Sequence, residues 1–262
     1  MAELKKHISE LNRRLKLQPL ERDILLDISE SIYRKFGERF HGLQEHLIFG
    51  SFRHKTLLPK CIDEHGDVDH LLCFNYENKN PSFYISKIKS FCAREIRGYA
   101  VNYDHPSIIL NKGRVTIELV PAIKLKDGDY MIPKNKNSWI RTDPLKGEQY
   151  FLDENGDYSQ CLRIIKYLGI INQKNIPPYV ARDFVIAKIN DYYKYREYSK
   201  RGRKFSDKLA FVVAAYFHRY GASNNEMPPL ITRDRRGYEI DKNELKLRLP
   251  LPELCRCTTS RR

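Results

Sequence analysis

Apolar side chains recur at helical spacing from the start of the chain. Leu4, Ile8, Leu11 and Leu15 line one face of a predicted helix over 3–16, and Ile24, Leu25, Ile28, Ile32 and Phe36 line a second. Pro19 separates the two. The run HLIFGS is short, apolar and stopped by glycine, the pattern of a buried strand ending in a tight turn. After a loop containing Pro59, Asp63 and Gly66, the segment DVDHLLCF alternates and then becomes wholly apolar, as a central strand does. Residues 84–98 read as a basic helix. RVTIELVPAI is rich in β-branched residues and sets Thr116, Glu118 and Val120 on one face against Val115, Ile117 and Leu119 on the other. Between Asp127 and Gly156 the density of Pro, Gly, Asn and Asp around Trp139 predicts ordered loops and short strands. From about 157 to 222 three segments repeat apolar residues every three or four positions, predicting a helical second half. The tail from Met227 is proline-rich and basic and carries no assignable pattern.

Charge narrows the partners. Lys and Arg number 47 against 33 Asp and Glu, a formal +14, so the surface attracts polyanions such as nucleotides, RNA, DNA or acidic membranes. The stretch Lys194, Arg196, Lys200, Arg201, Arg203, Lys204, Lys208, interleaved with Tyr193, Tyr195 and Tyr198, reads either as a nucleic-acid contact with aromatic stacking or as a solvated connection between helices. The N-terminal stretch is charged throughout, without the apolar core of a signal peptide, and no segment reaches the roughly 18 apolar residues of a membrane span. Both features predict a cytoplasmic protein that makes no membrane contact. The cysteines lack paired CxxC spacing, which predicts free thiols; Cys255-Arg256-Cys257 is a weak metal signal. His54, His65 and His70 fit no zinc spacing either.

Three pieces carry chemistry, in the order Gly50-Ser51, Asp67-Val68-Asp69 and Glu118. Residues i and i+2 of a strand face one side, so Asp67 and Asp69 present two carboxylates to one point. Carboxylates so close repel unless cations lie between them, and an all-oxygen donor set suits Mg²⁺ completed by substrate phosphates. With Glu118 on a neighbouring strand, two ions about 3.5–4 Å apart would suit an in-line phosphoryl displacement. A glycine at a strand end lets backbone N–H groups approach phosphate oxygens, and Ser51 adds a hydroxyl.

GSFRHKT, then DVDHLL, then IELVPA resemble the signature of the CD-NTases, bacterial cyclic-oligonucleotide synthases related to cGAS and oligoadenylate synthase within the polymerase-β-like superfamily. Met131-Ile132-Pro133 and the segment Ser138 to Pro144 resemble the family's "IP…W…T-[ND]-P" pattern, and the resemblance spans roughly residues 20 to 190. It implies that Gly50 and Ser51 touch the triphosphate, that Asp67, Asp69 and Glu118 hold two Mg²⁺ or Mn²⁺ ions, and that Lys166 binds phosphate from the helical lobe. A lysine suits that task as a point charge with three donors. The chain departs from the family where Glu118 replaces the usual Asp and where Pro177-Pro178-Tyr179 stands in place of a serine.

The expected fold is α+β: a polymerase-β-like nucleotidyltransferase core of mixed sheet with helices over 1–155, including the N-terminal helices, and a helical C-terminal lobe with a basic tail over 156–262. The expected activity joins NTPs, whether ATP, GTP or pyrimidine NTPs, into a cyclic di- or trinucleotide messenger of anti-phage signalling read by a downstream effector. Two alternatives stay open: a transferase that modifies tRNA or protein, and a catalytically weak nucleotide sensor.

Overall fold

A computed structural model of the chain describes residues 2–104, 106–197, 205–220, 231–234, 237–240 and 249–252, with side chains for 3–104, 106–194, 205, 207–220 and 249–252. The chain divides into two compact units, one of Leu17–Lys60 with Glu64–Glu148, the other of Met1–Lys16, Cys61–Asp63 and Gln149–Arg262.

The first unit is built on a mixed sheet. Its strands are β1 (Leu43–Phe49), β2 (Val68–Phe74), β3 (Ala100–Asp104), β4 (Ser107–Lys112), β5 (Val115–Lys124), β6 (Tyr130–Asn135) and β7 (Ser138–Thr142). The order is β1-β2-β5-β4-β3, and β6 and β7 continue from the far end of β5. Only β2 and β5 run parallel; the other pairs are antiparallel. Helices α2 (Pro19–Arg39) and α4 (Pro81–Glu95) accompany it, with the short α3 (Gly50–Arg53) between β1 and the loop to β2. Pro19 is therefore a helix start and not a spacer, since a proline at the first helical position forfeits no hydrogen bond.

One face of the sheet is apolar apart from His46 and His70. Val68, Leu72, Phe74, Ile108, Leu110, Ile117, Leu119 and Ile123 pack there with Leu25, Ile32 and Phe36 of α2 and Tyr84, Ile88 and Phe91 of α4. Phe36, Phe40 and Phe91 meet ring to ring at 4.6–5.3 Å, the offset contacts that aromatic quadrupoles favour. The opposite face has a smaller cluster of Leu71, Cys73, Val120, Ala122 and Tyr130, which leaves its other end to polar residues. Trp139 Nε1 donates to the Lys79 carbonyl at 3.2 Å and its ring meets Tyr84 edge-on.

The second unit is helical, with α1 (Ala2–Arg14), α5 (Asp157–Ile171), α6 (Pro178–Glu197) and α7 (Phe205–Tyr220). Leu4, Ile8, Leu11 and Leu15 of the first periodic stretch are all buried. Two short strands, β8 (Ile231–Asp234) and β9 (Gly237–Ile240), pair antiparallel in the tail where the sequence showed no pattern. Among the described residues no helix is long and apolar enough to cross a membrane.

The thiol expectation holds in part. Cys73, Cys92 and Cys161 are free and buried, whereas Cys61 is disulfide-bonded. Of the basic stretch, Lys208 is buried against Asp157 and lies over the Tyr193 ring, so it is not a solvent-facing contact; Lys194 is exposed. The side chains of Arg196, Lys200, Arg201, Arg203 and Lys204, with Tyr195, Tyr198, Cys255 and Cys257, lie outside the described residues.

Candidate active site

The parallel register of β2 and β5 sets Asp69 directly beside Glu118. Asp67 precedes β2 by one residue and shares the side of Asp69. One oxygen of each of these three half-buried carboxylates lies within 4.8 Å of the others. Val68 and Leu71 are fully buried, so the strand that carries Asp69 is held from both faces.

Gly50 completes the corner. It follows β1, whose last residue Phe49 is the register partner of Asp69, and it turns the chain at φ +67°. A Cβ at this position would sit 2.0 Å from Asp69 Oδ2 and 2.9 Å from Asp69 Cγ. Only a residue without a side chain leaves room for that carboxylate, and only glycine takes the turn without strain. Position 50 thus makes space for Asp69, a role that strand and turn patterns do not reveal.

Ser51 is the second residue of α3, and its carbonyl accepts from the N–H groups of Thr56 and Leu57 at 2.9 and 3.0 Å. Arg53 anchors the same turn through its Nε to Glu148 Oε1 at 2.7 Å. Lys166 lies half-buried on α5, in the other unit.

Lys60 and Thr116, whose pairing no local pattern marks, tie the loop before Asp67 to the strand of Glu118. Lys60 donates to the Glu64 carbonyl at 2.9 Å and to Thr116 Oγ1 at 3.3 Å, and Thr116 donates to Asn111 Oδ1 at 3.1 Å. Thr116 stands two residues before Glu118 on the same face, so Lys60 links the loop leading into Asp67 to the strand of Glu118.

Behind the carboxylates lies a buried polar chain. His46 Nε2 and His70 Nδ1 are 2.6 Å apart, and His70 Nε2 is 3.1 Å from Ser29 Oγ on α2. Among the described residues the buried His46 Nδ1 has no hydrogen-bond partner, and an orphaned ring acceptor costs less than an orphaned N–H, which favours His46 Nε2–H donating to His70 and His70 Nε2–H donating to Ser29. Burial holds the His46 imidazole at about 4 and, together with the neighbouring His46, His70 at about 3. His70 is thus a strut, His54 is buried and His65 is exposed. Burial also raises the Cys73 and Cys92 thiols to about 12, which keeps them from acting as thiolates near neutral pH.

A mixed sheet that brings three carboxylates to one point beside a glycine-opened turn is the framework of a polymerase-β-like nucleotidyltransferase. Residues 3–155 match the model of the Second Messenger Oligonucleotide or Dinucleotide Synthetase domain, and the chain belongs to that family, the CD-NTases; it is a nucleotidyltransferase. Solved structures of similar fold include the Bradyrhizobium diazoefficiens CD-NTase CdnG in complex with GTP, at TM-score 0.66 and 12% identity over 83% of this chain and 77% of that one. A second is the STING-associated CdnE c-di-GMP synthase of Capnocytophaga granulosa, at TM-score 0.61 and 16% identity over 94% and 83%. A third is E. coli MS115-1 CdnC with ATP, at TM-score 0.61 and 13% identity over 82% and 70%. No curated protein matches the sequence.

Proposed function

We propose that this chain links nucleoside triphosphates into a cyclic di- or trinucleotide, releasing pyrophosphate, as a second messenger of bacterial anti-phage signalling. The observation that carries the reading is the convergence of Asp67, Asp69 and Glu118 in a member of this family. Related folds hold GTP or ATP or make c-di-GMP, which supports NTP substrates here.

The donor set fits divalent cations: three half-buried carboxylates, all oxygen, with one atom of each close enough to share an ion, the chemistry that suits Mg²⁺ and, with similar ligands, Mn²⁺. Bound there, two such ions would offset phosphate charge and make the acceptor hydroxyl more acidic. The chain's own groups then divide the work. Asp67 and Asp69 fix the site's position on β2. Glu118, on the neighbouring strand, would take the proton of the acceptor hydroxyl as that oxygen bonds the α-phosphorus and the bond to the bridging oxygen breaks, releasing pyrophosphate. Gly50 and Ser51 hold the triphosphate, and Lys166, assigned by resemblance, donates to its outer oxygens.

The reach of Glu118 supports an active enzyme over a weak sensor: despite the extra methylene, one of its oxygens lies within 4.8 Å of one oxygen of each aspartate. The test is incubation with radiolabelled NTPs and Mg²⁺ or Mn²⁺, then phosphatase, beside a D67A/D69A variant. A phosphatase-resistant product, absent in the variant, is expected. Linear or macromolecule-attached products only would remove the cyclase reading in favour of a modifying transferase.

A further inference from the structure

A cavity of about 740 Å³ lies at the ends of α2 and α4, lined by Arg34, Lys35 and Arg39 of the first helix and Arg94 and Arg97 at the end of the second. Both helices pack on the apolar face of the sheet, opposite the carboxylates. Glu38 and Glu95 also line the cavity, so five cations against two carboxylates leave three positive charges.

Helix-end electrostatics account for only part of this. Cations near a helix C-terminus offset its carbonyl dipoles, and Arg39 and Lys35 are engaged locally. Arg39 Nη1 pairs with Glu95 Oε2 at 2.7 Å, and Lys35 Nζ donates to the Glu95 carbonyl at 3.2 Å. Arg34, Arg94 and Arg97 are exposed, and among the described residues none of their side chains makes a hydrogen bond or an ion pair. Three guanidinium forks around one concavity match phosphate oxygens in geometry and charge.

The lining also says what would be recognised. Among the described residues it contains no aromatic or apolar side chain on which a base would stack, whereas pockets that recognise a nucleobase or another small molecule supply such faces. We propose that this cavity is a binding site for the phosphodiester backbone of a nucleic acid, read without regard to sequence. RNA and DNA share that chemistry. The proposal is independent of the transferase reading, since it concerns another surface and a binding measurement.

The experiment is fluorescence anisotropy of the full-length protein with a labelled 30-base-pair duplex, once as RNA and once as DNA, between 50 and 300 mM salt. R34E/R94E/R97E is expected to weaken binding at least tenfold and to flatten the slope of log affinity against log salt by about two to three. R34Q/R94Q/R97Q should follow in the same direction. A control reversal of equal charge at exposed lysines elsewhere, K126E/K134E/K136E, is expected to change affinity less than threefold. If the control weakens binding as much as the arginine variant, the affinity belongs to the overall charge and the site is refuted. Absence of binding to either duplex at 50 mM salt refutes it as well. Tighter binding of one duplex identifies the source of the backbone.

Discussion

At the scale of single residues, the site depends on a missing side chain as much as on those present. Gly50→Ala would place a methyl group 2.0 Å from Asp69 Oδ2 on backbone at φ +67°. Turnover is expected to fall by about 100-fold or more, since displacement of a reacting group by about 1 Å has that effect. The fold should lose only about 1 kcal/mol for a side chain forced into left-handed backbone. Steady-state rates beside thermal melts separate the two effects; equal losses in both would contradict the assigned role. Asp67, Asp69 and Glu118 were legible as a cluster because strand alternation and the burial cost of an acid in an apolar strand point the same way. Lys60 and Thr116 were not, because nothing local marks a lysine in a loop as the partner of a threonine 56 residues on.

At the scale of elements, the polar chain from Ser29 through His70 to His46 joins α2, β2 and β1. Its charge state should make stability depend on pH. His46 is held at about 4 by burial and returns to the ordinary value of 6.5 in the unfolded chain. The unfolded state therefore binds more protons between these values, so stability is full above about 6.5 and declines as pH falls toward 4. The loss is on the order of 2 kcal/mol after discounting the ring's partial exposure. Melting temperature measured from pH 7.5 to 4 should show this decline, and His46→Gln should make it shallower without removing it, since burial still holds His70 below its ordinary value. Periodicity located α1, α2, β1, β2, α4 and β5, but it gave no hairpin at β3–β4. Those strands mix polar and apolar residues, and β3 is largely exposed. Phe91 lies where α4 meets α2; Phe91→Ala is expected to destabilise by about 3–5 kcal/mol in urea melts.

At the scale of the whole molecule, bound cations should stabilise the native state because the three carboxylates exist as a cluster only there. Saturating Mg²⁺ at about 100 times its dissociation constant is expected to add about 2.7 kcal/mol, visible as a rise in melting temperature that Asp67→Asn abolishes; an equal rise in the variant would place the ion elsewhere. The parallel pairing of β2 and β5 also bears on how the protein acquires its activity. Asp69 and Glu118 are brought side by side only after α4 and the β3–β4 hairpin have been laid down between them. A slip of one residue would set Asp69 beside Ile117 or Leu119 and send Glu118 to the apolar side. Pairings of such long range close late and slowly. Refolding chains should therefore regain helical circular dichroism before they regain turnover, and a partly assembled sheet would be well structured yet catalytically silent.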